Sequence, residues 1–517
     1  MIKLNQKKIL SDTEIDQGYD LIRNKFLQIK SIFPSKYSDL KIEYIVLPKA
    51  TSIHTLINNN YLNYLTYKKN NNLILSHLYK LYLNHIFDKT KKNYFQNLKS
   101  ESNLNYVIKN SKFDIDNQKY NLFFVNMGSY LKVIQKYINK SKLNNNKIII
   151  TKSLYKSNSD IKNYIIFEEF LNNDVIDEYK ESIENFKKCF MENQDFLNSL
   201  FNIENINLYK CSYYGFKNIF ENLIPEAYLH LKVLDNLFNN INVNNVITIR
   251  NRRVFDRAVN LKSYELNLEN YILLHSNVGT SSKFINEMGN LSYIRNAFVW
   301  NDFQSNVMKK SKYTKITNYY NYGSPLFDSI KLRSKDTLIE NNSIFIPGGT
   351  TKYSKKLIYS LINKELINHK FKISIKYHPN DASDQFLTFQ KKKNIKIYGQ
   401  FDNIEKIISQ SKLIITDLSE SSILAMILNK PVFFISLNDY IYSLFKDIYY
   451  FEEKESDIFC FDNLFKLSKS VDSIMNDNLY YDKVVSIQKK YIDKYISKQN
   501  FEIDDCSNKI DKLLNVS

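Results

Sequence analysis

The sequence contains few glycines and prolines, the residues that most often bend or end regular backbone structure. Its 517 residues include only nine glycines and seven prolines. Four of each fall between 323 and 431: Gly323, Gly348, Gly349, Gly399, Pro325, Pro347, Pro379 and Pro431. Glycine permits tight turns and close approach of the backbone to a ligand, and proline stiffens a turn. We therefore expect this stretch to hold the turns and ligand contacts around which the chain is organised.

Cysteines and long apolar runs are also scarce. The four cysteines, at 189, 211, 460 and 506, are far apart and form no Cys-x-x-Cys pair, so neither a disulfide framework nor a zinc site is suggested. The first residues lack the apolar core of a signal peptide. No run of about eighteen apolar residues occurs. The simplest interpretation is a cytoplasmic enzyme, either free or held at the inner face of the plasma membrane by its charge.

Positive charge is in excess, with 72 Lys and Arg against 54 Asp and Glu, a net charge of +18. Such a charge suits an anionic partner, such as a phospholipid surface or an acidic glycan. A/T-rich codon usage would also produce a chain rich in Lys, Asn, Ile, Tyr and Phe, and both explanations stay open. The sequence carries no nucleic-acid-binding motif and no interleaving of aromatic and basic residues, so nucleic acid is not an expected partner.

Residues 343–436 alternate between short apolar runs and segments with helical spacing. The pattern predicts strands at 343–347, 371–377, 395–398, 412–416 and 431–436, and helices at 355–368, 402–411 and 419–430. This alternation is typical of a parallel sheet with helices on both faces. Ligands bind beyond the carboxyl ends of such strands. Gly-Gly-Thr-Thr, His-Pro-Asn-Asp and Thr-Asp-Leu-Ser-Glu-Ser-Ser all follow predicted strands, which indicates a binding site there.

The first half of the chain is less clearly patterned. Residues 1–120 are predicted to be mostly helical, with one strand at Ile42–Leu47, and residues 160–240 are predicted to be helical. Further strands are expected at 147–151, 246–249, 271–274, 297–300 and within 315–323. The length indicates two or three domains. We place them at 1–330 and 331–480, with a final helical segment, 481–517, packing back on the domain junction.

Arginine is rare, yet four of the seven arginines lie within eight positions, just after a predicted strand. They are Arg250, Arg252, Arg253 and Arg257. Guanidinium groups at a strand end suit recognition of phosphate or carboxylate groups. The alternative is an ordinary solvated start of a helix.

Two α/β halves joined near residue 335 describe a GT-B architecture: two Rossmann-like domains facing each other across a cleft. Several motifs occur in a fixed order: His275 with Gly279 and Lys283; the box from Gly323 to Asp328; His378-Pro379; Thr416-Asp417 with Ser419, Ser421 and Ser422; and Lys430-Pro431. This order resembles the CDP-glycerol glycerophosphotransferase family of teichoic acid and capsule synthesis, and more loosely other GT-B enzymes of bacterial surface polysaccharides. The resemblance covers roughly residues 245–436.

The chain departs from the family pattern in three places. Ser276 stands where the family usually has glycine, Leu418 stands where an aromatic residue is common, and Ile-Leu-Ala-Met-Ile-Leu replaces an aromatic-acidic pair. These departures bear on the donor more than on the fold. The transferred group is therefore either a polyol phosphate or a sugar, with CDP-, CMP- and UDP-linked donors all open.

The chemistry of such a transfer assigns roles to the motif residues. The departing phosphate must be neutralised and the acceptor hydroxyl deprotonated. Backbone amides and hydroxyls after strands suit the first task. The expected donor-binding residues are Gly348, Gly349, Thr350, Thr351, Asn380, Ser419, Glu420, Ser421 and Ser422, with Arg250, Arg252 and Arg253 as further anion-binding candidates. The expected catalytic residues are His275, as general base, with His378 and Asp417.

This scheme requires no metal and no cofactor. Its partners are the nucleotide-activated donor and a glycan or lipid-linked acceptor. Two other functions compete with it: a sugar-nucleotide 2-epimerase of the same fold, which would want more carboxylates around the cleft, and a non-catalytic protein that binds nucleic acid or another polyanion through the +18 charge.

Overall fold

A computed structural model describes most of the chain. The described residues are 12–46, 118–126, 128–156, 161–203, 206–249, 251, 253–274, 291–310, 314–323, 343–348, 358–366, 371–377, 386–399, 402–417, 419, 421–435, 451, 453–496 and 503–516.

The strands among these residues are Tyr120–Val125 (β1), Asn146–Ile150 (β2), Tyr164–Ile166 (β3), Asn202–Ile203 (β4), Ile206–Asn207 (β5), Val243–Thr248 (β6), Glu269–Leu273 (β7), Asn296–Val299 (β8), Asn318–Asn321 (β9), Ser343–Pro347 (β10), Lys372–Lys376 (β11), Ile395–Tyr398 (β12), Leu413–Thr416 (β13), Val432–Ile435 (β14) and Cys460–Phe461 (β15). The α-helices are Asp12–Ile29 (α1), Ile42–Ile45 (α2), Gly128–Ile138 (α3), Lys152–Lys156 (α4), Asn173–Glu192 (α5), Gln194–Leu200 (α6), Leu208–Cys211 (α7), Tyr213–Asn218 (α8), Ile224–Asn240 (α9), Val254–Glu265 (α10), Asp302–Lys309 (α11), Ile404–Gln410 (α12), Ser421–Ile427 (α13), Glu453–Ser456 (α14), Leu464–Asn476 (α15), Asn478–Tyr491 (α16) and Ile503–Val516 (α17).

The first large sheet has the strand order β3-β2-β1-β6-β7-β8-β9, and every neighbouring pair is parallel. Successive side chains of β1 point to opposite faces. Leu122 and Phe124 pack with α5 and α9, while Phe123 packs with α3 and α17. Both faces are therefore covered by helices, as a parallel sheet requires.

Buried asparagines link the strands of the first sheet near their amino ends. The Asn121 Nδ2 donates to Asn146 Oδ1 at 3.0 Å, and its Oδ1 accepts from Asn245 Nδ2 at 2.8 Å. The Leu514 carbonyl of α17 also accepts from Asn245. These side-chain bonds satisfy polar groups inside the sheet and attach the last helix to it.

The second large sheet is built from the later part of the chain, in the order β12-β11-β10-β13-β14-β15 and again parallel throughout. Its apolar core includes Phe345, Ile414 and Phe433. The fold is therefore of the GT-B type, with two Rossmann-like parallel sheets and additional helices before the first.

The end of the chain joins the two halves. The turn Ile492–Ile496, which follows α16, packs against α13 of the second half. The Tyr495 carbonyl in this turn accepts a hydrogen bond from Asn301, and the Tyr495 ring lies 4.8 Å from the Phe303 ring. Asn301 and Phe303 follow the carboxyl end of β8, and the neighbouring Trp300 is buried in the second core. The carboxyl edge of the first sheet therefore faces the second half.

Helix α17 then returns to the first sheet. The buried Asp511 accepts hydrogen bonds from Tyr137 Oη and Ser141 Oγ, both at 2.6 Å, and from the Lys142 amide at 2.8 Å. Burial and this carboxylate raise the pKa of Tyr137. The domain boundaries expected from the sequence stay a prediction.

Two local expectations were wrong, and one strand was not predicted. Ile42–Ile45 forms a buried helical turn, α2, where a strand was predicted, because a short apolar run fits either structure until its packing is known. Tyr120–Val125 forms the central strand β1, which lies outside the predicted strands. Strand β3 likewise interrupts a segment predicted to be helical.

Candidate functional site

Each large sheet reverses its strand order at one place. In the first sheet the chain builds outward from β1 to β3 and then returns to place β6 on the other side of β1. In the second sheet the same reversal separates β10 from β13. Such switch points leave a crevice at the carboxyl ends of the two strands, where ligands bind in open α/β sheets. The two crevices are here called the first and second switch points.

The second switch point lies between Pro347, which ends β10, and Thr416, which ends β13. The register pairs Phe345 with Ile414, so the two strand ends are level. The Gly348 amide donates to the Lys376 carbonyl at 2.7 Å. The Gly348 N–H is thus used within the sheet. The other residues expected to bind phosphate through this loop, Gly349, Thr350 and Thr351, lie outside the described residues.

The Thr416 hydroxyl is an unpaired polar group at this place. Thr416 is 1% exposed, and its Oγ1 has no hydrogen-bond partner in the part of the chain that the structure describes. A buried hydroxyl without a partner costs about 1–3 kcal/mol. A ligand oxygen at the switch point would supply the missing bond.

The serines beyond Asp417 form a compact turn into α13. Ser419 Oγ lies 2.7 Å from Ser421 Oγ and accepts from the Ser421 amide at 3.3 Å. The Ser422 hydroxyl donates to the Ser419 carbonyl at 2.6 Å, and Ser422 is fully buried. The Ser422 proton is therefore used within the turn, and the expected role of Ser422 in binding the donor stays a prediction. Asp417 is half-buried at the mouth of this turn.

Helix α13 is shorter than the sequence suggested. It spans seven residues, Ser421–Ile427, whereas a helix over 419–430 was expected. Asn429 takes a left-handed conformation, with φ of 55°, and ends the helical segment. The dipole of so short a helix contributes little, so anion binding here would depend more on the polar groups of the strand ends.

The loop after β11 contains the predicted residues His378 and Asn380, which lie outside the described residues. Its two ends are held together, because the Phe386 amide donates to Tyr377 Oη at 3.2 Å and the two rings lie 5.6 Å apart. Tyr377, directly after β11, and Phe386 are therefore held against each other.

Side chains fill the first switch point. Asn126, after β1, donates through Nδ2 to Asp256 Oδ1 at 2.7 Å, which joins the end of β1 to α10, the helix that follows β6. Tyr44 Oη donates to Asn251 Oδ1 at 3.1 Å, and Asn260 Nδ2 donates to the same oxygen at 3.1 Å. Burial raises the pKa of the Tyr44 hydroxyl. Helix α2 therefore covers this crevice.

Arg257 has a structural position, unlike the anion-binding position that the arginine cluster suggested. It is fully buried, its Nε donates to the Asn251 carbonyl at 2.9 Å, and its Nη1 donates to the Tyr44 carbonyl at 2.7 Å. Arg253 is half-buried at the start of α10, where its amide donates to Asp256 Oδ2 at 3.2 Å. Arg250 and Arg252 lie outside the described residues, so their role stays a prediction.

The predicted base His275 also lies outside the described residues, as does Glu420. The strand before His275 is well fixed: the Leu274 amide donates to the Phe298 carbonyl at 3.1 Å, and the Leu274 carbonyl accepts from Trp300 Nε1 at 3.0 Å. Leu274 thus lies at the edge of the first sheet that faces the second half.

Two groups at the carboxyl edges escaped the sequence analysis. Lys376 ends β11 beside Pro347, is buried, and donates through Nζ to the Tyr377 carbonyl at 3.2 Å. Glu168 accepts from the Lys152 amide at 2.8 Å, and burial raises the pKa of its carboxyl group. Lys376 could have been noticed in the sequence, because a lysine at the last position of a predicted strand suggests a functional role. The sequence contains no comparable signal for Glu168.

Among the residues the structure describes, no three His, Cys, Asp or Glu side chains come together as a metal site. In the same part of the chain, no helix has the length and apolar character needed to cross a membrane.

No family model matches the chain, and no curated protein matches it. Solved structures of similar shape include the UDP-GlcNAc 2-epimerase of Neisseria meningitidis bound to UDP-GlcNAc, with 13% identity, a TM-score of 0.45, and coverage of 77% of this chain and 100% of that one. The wall teichoic acid polymerase TagF has 12% identity and a TM-score of 0.45, covering 89% of this chain and 97% of that one. The UDP-GlcNAc 2-epimerase of Methanocaldococcus jannaschii has 13% identity and a TM-score of 0.41, covering 77% and 100%.

Proposed function

We propose that this chain is a transferase that moves a glycosyl or polyol-phosphate group from a CDP-, CMP- or UDP-linked donor to a bacterial surface polysaccharide or a teichoic-acid-like polymer. The observation that carries the proposal is the second switch point. Level strand ends place Pro347-Gly348 opposite Thr416-Asp417, and the Thr416 hydroxyl there has no partner among the described residues. Of the motifs that the sequence carries in order, Thr416-Asp417 and the serines Ser419 and Ser421 lie at this crevice.

In this proposal the donor phosphates lie over the second switch point. The Thr416 hydroxyl donates to a phosphate oxygen, and the Gly349–Thr351 loop adds backbone and hydroxyl donors. Lys376 pairs with Pro347 in the sheet register, and its buried ammonium, which donates to the Tyr377 carbonyl, adds positive charge at this end of the sheet. Together these groups would stabilise the negative charge that develops on the departing nucleotide.

Two histidines complete the proposed machinery. His378, which follows β11 and Tyr377 in the sequence, donates to a donor phosphate. His275, after β7, approaches from the other half and accepts the proton of the acceptor hydroxyl, because an imidazole titrates near working pH. Asp417, at the mouth of the serine turn, interacts with the donor. The acceptor is a glycan or a lipid-linked chain, and the positive charge favours work at an anionic membrane surface.

The test is nucleotide release from CDP-glycerol and from CMP- and UDP-linked sugars in the presence of acceptor. We expect Asp417→Ala and His378→Ala to lower kcat/KM on the order of 100-fold. Asp482→Ala is the matched control, because Asp482 is an exposed carboxylate of the same half, and it should change turnover less than about twofold. The same assay in EDTA tests the predicted independence from metal.

Three other outcomes would contradict parts of this proposal. Full turnover by folded Asp417→Ala and His378→Ala proteins would remove the site assignment. Conversion of a UDP-linked sugar to its 2-epimer without transfer would identify an epimerase. Failure of all three nucleotide classes to react or to stabilise the fold on heating would leave a non-catalytic anion-binding protein.

A further inference from the structure

A second concave site lies on the outer edge of the second sheet. It has a volume of about 620 Å³ and is bounded on one side by β11 and the edge strand β12 and on the other by α12. Its floor includes Ser343 and Ser374, and Asn394 and Gln410 also line it. It is here called the edge groove.

Positive charge dominates the rim of the edge groove. Four exposed lysines line it, from β11, the start of β12 and α12: Lys372, Lys393, Lys396 and Lys406. The one carboxylate in the lining, Asp402, accepts the Gly399 amide at 2.7 Å. Lys393, Lys396 and Lys406 form no ion pair with the described carboxylates. The rim thus keeps most of its charge for a ligand.

The edge groove runs towards the second switch point. It begins at the amino ends of β10 and β11 and continues to Tyr398, at the carboxyl end of β12. Tyr398 pairs with Lys376, and Lys376 pairs with Pro347. Two strand spacings, about 10 Å, therefore separate the end of the groove from the switch point. A chain attached to a group at the switch point could continue into the groove.

We propose that the edge groove binds an anionic segment of the polymer, a chain of polyol or sugar units bearing phosphodiester or carboxylate groups. This inference rests on the proposed function. The lysines complement the acidic groups, and the side chains of Ser374, Asn394 and Gln410 suit hydroxyl-rich units, whereas the buried Ser343 hydroxyl already donates to the Gln410 carbonyl at 3.0 Å. Tyr398 is the sole aromatic ring in the lining, so a nucleic acid would lack a run of stacking partners. A flat bilayer would touch the rim and leave Ser374 at the floor unfilled.

A simpler explanation for the lysines of the edge groove is protection of the edge strand β12 from pairing with another molecule. Lys393 and Lys396 flank and occupy an edge strand, where charged side chains discourage pairing with another molecule. Lys406 lies on α12, away from the strand edge, and edge protection gives no reason for it to face the same groove. A variant that pairs Lys393 with Lys406 therefore tests both walls together.

The experiment measures binding of fluorescently labelled oligomers by anisotropy in 50 mM salt, with no donor present. The probes are a glycerol-phosphate hexamer and a hyaluronan hexasaccharide, and the competitors are a twelve-residue oligothymidylate and phosphatidylglycerol vesicles. We expect Lys393→Glu/Lys406→Glu to weaken binding of at least one acidic oligomer about tenfold or more. Lys483→Glu/Lys490→Glu changes the net charge equally on the exposed face of α16 and should weaken it less than twofold.

Circular dichroism and size-exclusion profiles verify that the variants are folded and monodisperse. If the glutamate pair fails to fold, Lys393→Gln/Lys406→Gln takes its place, with an expected weakening of about threefold. Equal losses in the two charge-matched pairs would overturn the proposal, because net charge alone would explain them. Tighter binding of oligothymidylate or vesicles than of either acidic oligomer would also overturn it. Nucleotide release plays no part in this assay, so a failure of the proposed function at Asp417 would be seen separately.

Discussion

Two threonines occupy equivalent places in the two halves and meet different surroundings. Thr248 ends β6 and Thr416 ends β13, each strand being the one that follows the switch point of its sheet. Both side chains are buried. Thr248 Oγ1 donates to Asn260 Oδ1 at 3.0 Å, whereas Thr416 Oγ1 has no partner among the described residues. At the same position of the fold, the threonine hydroxyl is thus hydrogen-bonded in the first half and has no described partner in the second.

The difference extends beyond the threonines. At the first switch point the protein supplies its own polar partners, through Asn126, Asp256 and the buried Arg257, and covers them with α2. At the second, the described groups are backbone, serine hydroxyls and a buried lysine, with no side-chain bridge like that from Asn126 to Asp256. A crevice that side-chain hydrogen bonds already cross and a helix covers gains less from a ligand than one with an unpaired hydroxyl. The comparison therefore favours the second half as the donor site.

The largest expected effect comes from opening the first switch point. Arg257→Met removes the guanidinium that holds the Asn251 and Tyr44 carbonyls and lies 5.2 Å from the Tyr44 ring. Leaving two buried carbonyls without a donor should lower the free energy of unfolding by about 3–5 kcal/mol. Urea denaturation measures the loss. Arg257→Lys keeps the charge without the fork and should recover only part of it. A loss below about 1 kcal/mol for Arg257→Met would show that this network does not close the crevice.

The next prediction changes the two threonines in parallel. Thr248→Val leaves Asn260 Oδ1 without its donor and should cost about 2 kcal/mol of unfolding free energy, with no change in donor nucleotide affinity. Thr416→Val removes a buried hydroxyl that has no partner among the described residues, and it should raise the free energy of unfolding by about 1 kcal/mol, while donor nucleotide binds about tenfold more weakly. Urea denaturation and calorimetric titration provide the two readouts. The comparison fails if both variants lose stability alike, or if nucleotide affinity follows Thr248.

The sequence alone could place both threonines but could not distinguish them. Strands β10 to β14 were predicted closely, because apolar runs of four or five residues alternate there with clear helical spacing. The partner of Thr248 is Asn260, twelve positions later on α10, and that contact exists only once the helix has packed on the sheet. The same applies to Arg257, whose partner Tyr44 is 213 positions away and belongs to a segment predicted to be a strand. Patterns of a few residues carry local structure, and the pairing of distant polar groups depends on the whole fold.

The smallest expected effect concerns the other unpaired polar group of the second half. Lys430, before β14, is buried, and its Nζ has no hydrogen-bond partner among the described residues. Burial lowers the pKa of Lys430 to about 8, from an ordinary value of 10.5. The unfolded chain therefore binds more protons between these values, and the unfolding free energy should rise with pH across this window. Lys430→Met removes the buried charge and should stabilise the protein by about 1 kcal/mol at pH 7, after allowance for solvent screening.

Lys430 also provides a comparison for Thr416, because the two buried groups lie at opposite edges of the second sheet. It lies at the amino end of β14, on the edge opposite to the second switch point. The stability gap between Lys430→Met and the unchanged protein should therefore close as the pH is raised from 7 to 9.5, with donor nucleotide affinity the same in both. Exposed Lys489→Met serves as the control and should show no gap at either pH. Suppose instead that Lys430→Met binds nucleotide as weakly as Thr416→Val does. Nucleotide affinity would then not depend on where the unpaired buried group lies. The position of Thr416 would no longer identify the crevice as the binding site.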